Sequence, residues 1–110
     1  METFDITKQS SFLEVQIWEV LRSVIDPELH VNIVDLGLVY QVEADENTHR
    51  ITIAMTLSSR YCPMGEAILQ SVKNSLELNF PAFESEVNLV WEPEWSYDNI
   101  SEEGRRLLGN

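Results

Sequence analysis

The chain has 110 residues, 44% of them hydrophobic, which suits one small domain with a single core. Nineteen acidic residues against seven basic ones give a net charge of −12, which repels phosphate backbones and anionic lipid surfaces and so argues against nucleic acid and membranes as partners. No apolar run approaches the ~18 residues of a membrane span, and the start of the chain lacks the basic and apolar stretches of a signal peptide, so we expect a cytoplasmic protein.

The first part of the chain predicts an arm and then a helix. Residues 1–11 are polar and show no period, so we expect a mobile arm in front of a single domain over residues 12–110. Ser11 followed three positions later by Glu14 is typical of a capping box, and apolar residues at helical spacing predict a helix over residues 12–25. Pro27 ends this helix because proline disfavours helical geometry at the residue before it.

The middle of the chain predicts a loop and a β-hairpin. The stretch from Leu29 to Asp35 has no clean period and is predicted to be a loop, with room for a short helical turn. From Leu36 to Glu43 the residues alternate between two sides: Leu36, Leu38, Tyr40 and Val42 lie on one, and Val39, Gln41 and Glu43 lie on the other. The alternation resumes at Ile51, so the two runs form an antiparallel hairpin.

The remaining segments predict a helix over residues 63–78, a strand with Val87, Leu89 and Trp91 facing inward, and a helix over residues 101–108. The order is therefore α-β-β-α-β-α. A right-handed crossover makes the third strand parallel to the second, which predicts a single α/β (α+β) domain with a three-stranded mixed sheet and helices on one face. Whether the third strand pairs with the first or the second is left open.

Cys62, the single cysteine of the chain, follows the second strand and directly precedes Pro63. Proline is common in the first helical turn, so Cys62 is expected at or beside the N-cap, where the helix dipole and unpaired N–H groups favour the thiolate. The alternative is a buried, inert cysteine. A reactive and partly accessible thiol is the interpretation that this position favours.

Four more residues are candidates for a site at the carboxyl edge of the sheet, where α/β folds tend to place their sites. Asp26 and Glu28 leave the first helix in a short turn, and Ser58 and Ser59 precede Cys62 and could donate hydrogen bonds to an anion, a sulfide or a thiolate. Each of them is also explained by ordinary turn and loop chemistry.

A thiolate can serve as a metal ligand or as a nucleophile, but the single cysteine of this chain needs further groups for either role. A closed tetrahedral site needs four ligands, whereas the chain offers one cysteine and two histidines without ligand spacing. A cluster could be held only between two chains or with external thiols. A thiol nucleophile needs a base within reach, and His30 is the candidate, because His49 lies in the hairpin turn at the far end of the sheet.

Five motifs follow one another along the chain: Asp26-Pro27-Glu28, Ile33 to Val39, Met55 to Pro63, Val90 to Trp95 and Ser101-Glu102-Glu103. Over about residues 12 to 109 they closely resemble the SufT/PaaD-like metal-sulfur cluster biosynthesis family. The resemblance implies a small α/β domain that helps iron-sulfur clusters mature and reach target proteins and that is not known as a stand-alone catalyst.

Carried over by position, the resemblance assigns the functional pocket to Asp26, Glu28, Ser58, Ser59 and Cys62, and it makes Cys62 the cluster ligand. It implies a transient iron-sulfur cluster as the bound group, iron-sulfur assembly proteins and client apoproteins as partners, and a homodimer or a partner-shared site.

The chain departs from the family pattern at two places. Serines stand at positions 58 and 59 where the family commonly has threonines, which keeps the hydroxyls but removes the β-branch. Arg60 and Tyr61 stand where the family commonly has Pro-Gly, so the loop before the cysteine is bulkier and carries a positive charge.

Three functions therefore compete. The favoured one is a cluster-assembly or carrier factor that works through Cys62. The second is an adaptor that only docks, within a cluster-assembly or multicomponent oxygenase system. The third is a thiol enzyme with Cys62 as nucleophile and His30 or a carboxylate as its base.

Overall fold

The computed structural model of the chain describes residues 9–60 and 64–109, and of residues 9–11 the backbone alone. None of the helices in these ranges is long and apolar enough to cross a membrane. The elements follow the predicted order: α1 (Gln9–Leu21), β1 (Val39–Asp45), β2 (Arg50–Met55), α2 (Gly65–Asn79), β3 (Glu84–Leu89), a 3-10 turn (Tyr97–Asn99) and α3 (Glu102–Leu107).

The three strands form one mixed sheet in the order β1-β2-β3. β1 and β2 pair antiparallel, with Val42 opposite Ile53, and β2 and β3 pair parallel, with Ile53 opposite Val87. The predicted hairpin and the predicted parallel crossover are both confirmed. The third strand pairs with β2, which was left open by the sequence, and β2 is therefore the central strand.

The core lies between the sheet and two helices. α1 contacts β1, α2 contacts β3, and the two helices contact each other. Ile51, Ile53 and Met55 of β2 are fully buried on the helix side, while Arg50 on the other face is exposed. This alternation on the central strand is the one that the sequence predicts for a sheet covered by helices on one face.

The first helix differs from the prediction at both ends. It begins at Gln9, so Ser11 lies inside it rather than at an N-cap, and it ends at Leu21 rather than at residue 25. After Leu21 the hydroxyl of Ser23 donates to Val20 O at 2.6 Å, and the backbone then turns into an isolated bridge between Ile25 and Asn32. A side chain that bonds a nearby carbonyl competes with the helix. Residues 1–8 of the expected arm lie outside the described residues.

The first strand begins at Val39, and a bulge interrupts the predicted alternation there. Val39 pairs with Met55 and Gln41 pairs with Ala54, so Tyr40 is an extra residue in a β-bulge. The bulge brings Val39 onto the buried face, next in sequence to the buried Leu38. A bulge shifts the alternation by one residue, which a strict period of two does not anticipate.

The third strand is shorter and less buried than its alternation indicates. It ends at Leu89, so Trp91 follows it rather than belonging to it. Ser85 is buried and Val87 half-buried on the inner side, but Leu89 is 38% exposed. An edge strand is covered on one side alone, and this explains why its apolar row is incomplete.

The second helix begins at Gly65, with Met64 as its N-cap. The predicted start at residue 63, like Cys62, lies in the segment 61–63, outside the described residues. In sequence, Cys62 therefore stands two positions before the N-cap. The last helix starts one residue later than predicted, because Ser101 is its N-cap and accepts a hydrogen bond from Gly104 N at 3.0 Å.

Candidate functional site

Ser58 and Ser59 lie at the carboxyl end of the central strand. Pairing continues past the strand ends, since Thr56 N donates to Leu38 O and Val90 N donates to Met55 O, both at 2.8 Å. The chain beyond Thr56 then lines a groove of about 240 Å³ together with the segment that follows β3. We call it the aromatic groove; its residues are Leu57, Ser58, Ser59, Arg60, Trp91, Glu92, Glu94 and Trp95.

Arg60 closes one end of the aromatic groove by stacking on a tryptophan. Its guanidinium carbon lies 4.6 Å from the centroid of the Trp91 ring, within the range of a cation–π interaction. Trp91 is half-buried, so one ring face packs on the protein and the other is available to Arg60. Arg60 thus has a defined contact in the groove.

One wall of the groove, formed by the segment that follows β3, is fixed by two long-range hydrogen bonds. The indole Nε1 of Trp95 donates to Leu36 O at 2.7 Å, and the hydroxyl of Tyr40 donates to Pro93 O at 2.7 Å. The two donors hold the segment from Pro93 to Trp95 against the loop before β1 and against the bulge in β1. These bonds anchor the wall to the rest of the fold, whereas Glu92 and Glu94 are exposed to solvent.

Asp26 organises the turn after α1. It is 1% exposed, and its Oδ1 accepts hydrogen bonds from Glu28 N at 2.7 Å and from Leu29 N at 3.1 Å. Its backbone carbonyl accepts from His30 N at 2.7 Å. These contacts are those of an Asx turn, so the turn role that the sequence offers for Asp26 is present in the structure.

The structure thus describes the predicted site residues in two groups. Asp26 and Glu28 share the turn after α1, and Ser58 and Ser59 share the aromatic groove. Cys62 lies in the segment 61–63, outside the described residues, so the pocket of all five residues stays a prediction. Within the described ranges, no group of three or more histidine, cysteine, aspartate or glutamate side chains is arranged to hold a metal ion.

The two histidines occupy different ends of the molecule. His30 is exposed and adopts a left-handed conformation with φ of 61° in the turn after α1. His49 precedes β2, and its ring lies 5.5 Å from that of Phe83. His49 is therefore at the opposite end of β2 from Ser58, as predicted.

The sequence interpretation missed Asp35, a buried acid whose side chain accepts three hydrogen bonds. Its Oδ1 accepts from Ser101 Oγ at 2.8 Å and from the Arg22 guanidinium at 3.4 Å, and its Oδ2 accepts from Asn32 Nδ2 at 2.7 Å. Burial raises the pKa of Asp35, but the hydrogen bonds from Asn32 and Ser101 and the charge of Arg22 outweigh it and hold the pKa below the ordinary value of 3.8.

Asp35 also contacts the start of α3 through its backbone. Its carbonyl accepts from Ser101 N at 2.8 Å, and Gly104 packs closely against that carbonyl. The acid therefore connects the end of α1, the loop before β1 and the start of α3. Asp35 lies inside one of the five motifs, but a polar residue in a loop does not indicate which distant side chains it contacts.

Known proteins resemble the chain along most of its length. The family model described as "Iron-sulfur cluster assembly protein" matches residues 14–89. The Fe-S protein maturation auxiliary factor YitW of Bacillus subtilis (strain 168) is 42% identical over 99 residues, which cover 88% of this chain and 94% of that protein. The Fe-S protein maturation auxiliary factor SufT of Staphylococcus aureus (strain USA300) is 45% identical over 86 residues, which cover 78% and 97%.

Solved structures share the fold. A domain of unknown function, DUF59, from Bacillus anthracis is 44% identical with a TM-score of 0.86, over 92% of this chain and 95% of that one. A conserved hypothetical protein from Thermotoga maritima is 28% identical with a TM-score of 0.72, over 99% and 100%. These matches confirm the resemblance that the five motifs indicate. The chain belongs to the iron-sulfur cluster assembly protein family.

Proposed function

We propose that this protein is an auxiliary factor in the maturation of iron-sulfur proteins, with the cluster as its cargo. The observation that carries the proposal is the match of residues 14–89 to the family model, together with two relatives that bear that function in their names. These alignments cover 94% and 97% of the relatives' own lengths, so the relatives have little sequence outside the region shared with this chain.

The finer proposal is that Cys62 supplies a ligand to the cluster. Iron-sulfur clusters are usually held by four thiolates, and this chain has one cysteine. A site made by two chains, or by one chain with a partner or small thiols, completes the set. Such a site holds the cluster weakly, which suits transfer to a client, because four cysteines of one chain would release it slowly.

The residues around Cys62 in this proposal supply polarity rather than further ligands. Ser58 and Ser59 line the groove that begins at the end of β2, and their hydroxyls are suited to donate hydrogen bonds to sulfide or thiolate. Asp26 and Glu28 are proposed to shape the same pocket. The Oδ1 atom of Asp26 already accepts two backbone hydrogen bonds, so we assign Asp26 a role in holding the turn rather than in binding iron.

Anaerobic reconstitution tests the ligand role. The protein is incubated with iron and sulfide, desalted, and followed by its visible absorbance and by transfer to an apo-ferredoxin. We expect Cys62→Ser to lose cluster retention and to keep its circular dichroism spectrum and unfolding midpoint. The matched control is Met64→Ser, which also replaces a sulfur-containing side chain by serine, at the N-cap of α2, where serine is favoured.

If Cys62→Ser retains and delivers clusters as well as the parent chain, the ligand role is wrong. The second candidate, an adaptor that docks assembly proteins or clients, then takes its place. One observation favours docking: the aromatic groove presents Trp91, Glu92 and Glu94 on a wall that is fixed by hydrogen bonds from elsewhere in the chain.

A further inference from the structure

We propose that the aromatic groove binds a basic, extended segment of a partner protein and that Arg60 occupies the cation position of this groove in the free chain. The proposal rests on the proposed function only for the identity of the partner as an assembly protein or a client. Its structural basis is independent of Cys62 and of any cluster.

The first step is the contact between Arg60 and Trp91. A guanidinium 4.6 Å from the ring centroid shows that this ring face accepts a cation. Arg60 is exposed, and in the described part of the chain no carboxylate forms an ion pair with it. Within the described residues, the guanidinium of Arg60 contacts the Trp91 ring but no carboxylate. An arginine or lysine of a partner can therefore replace Arg60 on the ring at small cost in free energy.

The second step is the acidic rim. Glu92 and Glu94 line the groove beside Trp91, both are exposed, and neither forms an ion pair within residues 9–60 and 64–109. The arginines at positions 22, 50, 105 and 106 are all paired with other acids. In the part of the chain that the structure describes, the groove thus carries two unpaired carboxylates against the single guanidinium of Arg60, which leaves it with a net negative charge.

The third step is the anchoring of the segment that carries the acidic rim. The hydrogen bonds from Trp95 to Leu36 O and from Tyr40 to Pro93 O, both 2.7 Å, fix the acidic segment from two sides. A binding surface that is ordered before binding loses less conformational entropy when the partner arrives. A groove of about 240 Å³ has room for side chains rather than for a folded domain, so an extended segment fits it best.

The net charge of the whole molecule favours a basic partner. A net charge of −12 repels nucleic acids, anionic lipids and acidic proteins. A basic segment is attracted over long range by the same charge and is then held locally by the tryptophan and the two glutamates.

The test is an NMR titration of the cluster-free protein with a short synthetic peptide in which arginine alternates with serine. The indole N–H signals of Trp91 and Trp95 should shift, whereas that of Trp18, in α1, should not. A peptide with glutamate in place of arginine should shift none of them. We expect Arg60→Ala to bind the arginine peptide about two- to fivefold more tightly, because the competing cation is gone.

The double variant Glu92→Gln/Glu94→Gln should bind the peptide at least about fivefold more weakly. Its matched control is Glu43→Gln/Glu77→Gln, which changes the net charge equally at exposed positions outside the groove and should change the affinity by less than about twofold. Equal loss in both double variants, weaker binding by Arg60→Ala, or a shift of Trp18 as large as that of Trp91 would overturn the proposal.

These outcomes are separable from those of the reconstitution test. Peptide binding is measured without iron or sulfide, so a failure of Cys62 as ligand leaves it unchanged. Conversely, if the arginine peptide does not bind to the groove, the result for cluster retention by Cys62 is unaffected.

Discussion

At the scale of single residues, Asp35 is the polar centre of the described fold. A carboxylate that is 9% exposed is stable as an anion only when hydrogen bonds and charge replace its lost hydration, and Asn32, Ser101 and Arg22 supply them. Both oxygens act as acceptors. The site therefore requires an anionic side chain with two acceptor atoms, and a neutral isostere does not meet that requirement.

We predict that Asp35→Asn lowers the free energy of unfolding by about 1–3 kcal/mol at neutral pH. An amide has one acceptor oxygen, so its NH₂ group must face either the Asn32 amide or the donors Ser101 and Arg22. Because the pKa of Asp35 is lowered in the folded state, its stabilising contribution is fully present above the ordinary value of 3.8 and is lost as the pH falls through the lower folded value.

Urea unfolding at several pH values measures this contribution. The difference between the parent chain and Asp35→Asn should be constant at neutral pH and should shrink as the solution is acidified below the ordinary pKa of an aspartate. Asp98→Asn, at an exposed acid next to α3, serves as the control and should change the stability little. A difference for Asp35→Asn that stays constant down to acidic pH would contradict the ionic role.

Asp35 also shows why part of the fold is not predictable from the sequence. Its partners Arg22 and Ser101 lie 13 and 66 positions away, so no local period records the contacts. By contrast, the turn role of Asp26 was one of its predicted alternatives, because its bonds reach only two and three positions along the chain.

At the scale of elements, the loop before β1 is closed by the 3-10 turn. Gly37 has φ of +76°, and a Cβ there would lie 2.3 Å from Asn99 O. We predict that Gly37→Ala destabilises the protein by more than about 1–3 kcal/mol, the cost of a strained backbone alone, because the turn must also move away. Thermal or urea unfolding measures the loss.

Gly109→Ala provides a matched control for this change. Gly109 has φ of +88°, but a Cβ there would meet nothing within 4 Å. Comparable losses in the two variants would show that backbone strain, and not closure by the 3-10 turn, determines the effect at Gly37.

The elements themselves were largely predictable, whereas their edges were not. Alternating apolar residues predicted the hairpin, and the residue spacing of Ile68, Val72 and Leu76, all buried, predicted α2. The bulge at Tyr40 and the early end of α1 depend on pairing and on side-chain bonds that periodicity does not contain. The aromatic groove was missed for a related reason: Arg60 and Trp91 are far apart in sequence, and nothing local joins them.

At the scale of the whole molecule, the single cysteine requires two chains to share a cluster, whereas the negative net charge opposes their association. A cluster shared by two chains needs a thiolate from each, but two chains of net charge −12 repel one another at low ionic strength. Salt screens this repulsion over about 8–10 Å at physiological concentrations. Association of two chains around a cluster should therefore be weak and should depend on conditions.

We predict that cluster occupancy after anaerobic reconstitution rises with protein concentration and with moderate salt, and that an added small thiol raises it further at low protein concentration. A higher protein concentration and an added small thiol both supply the further thiolates that one chain lacks. Moderate salt weakens the repulsion between two chains that share a cluster. Iron and sulfide per chain, measured after desalting along a dilution series, give the occupancy. Cys62→Ser should stay empty along the whole series. Occupancy that is independent of dilution without added thiol would contradict a weak site shared between two chains.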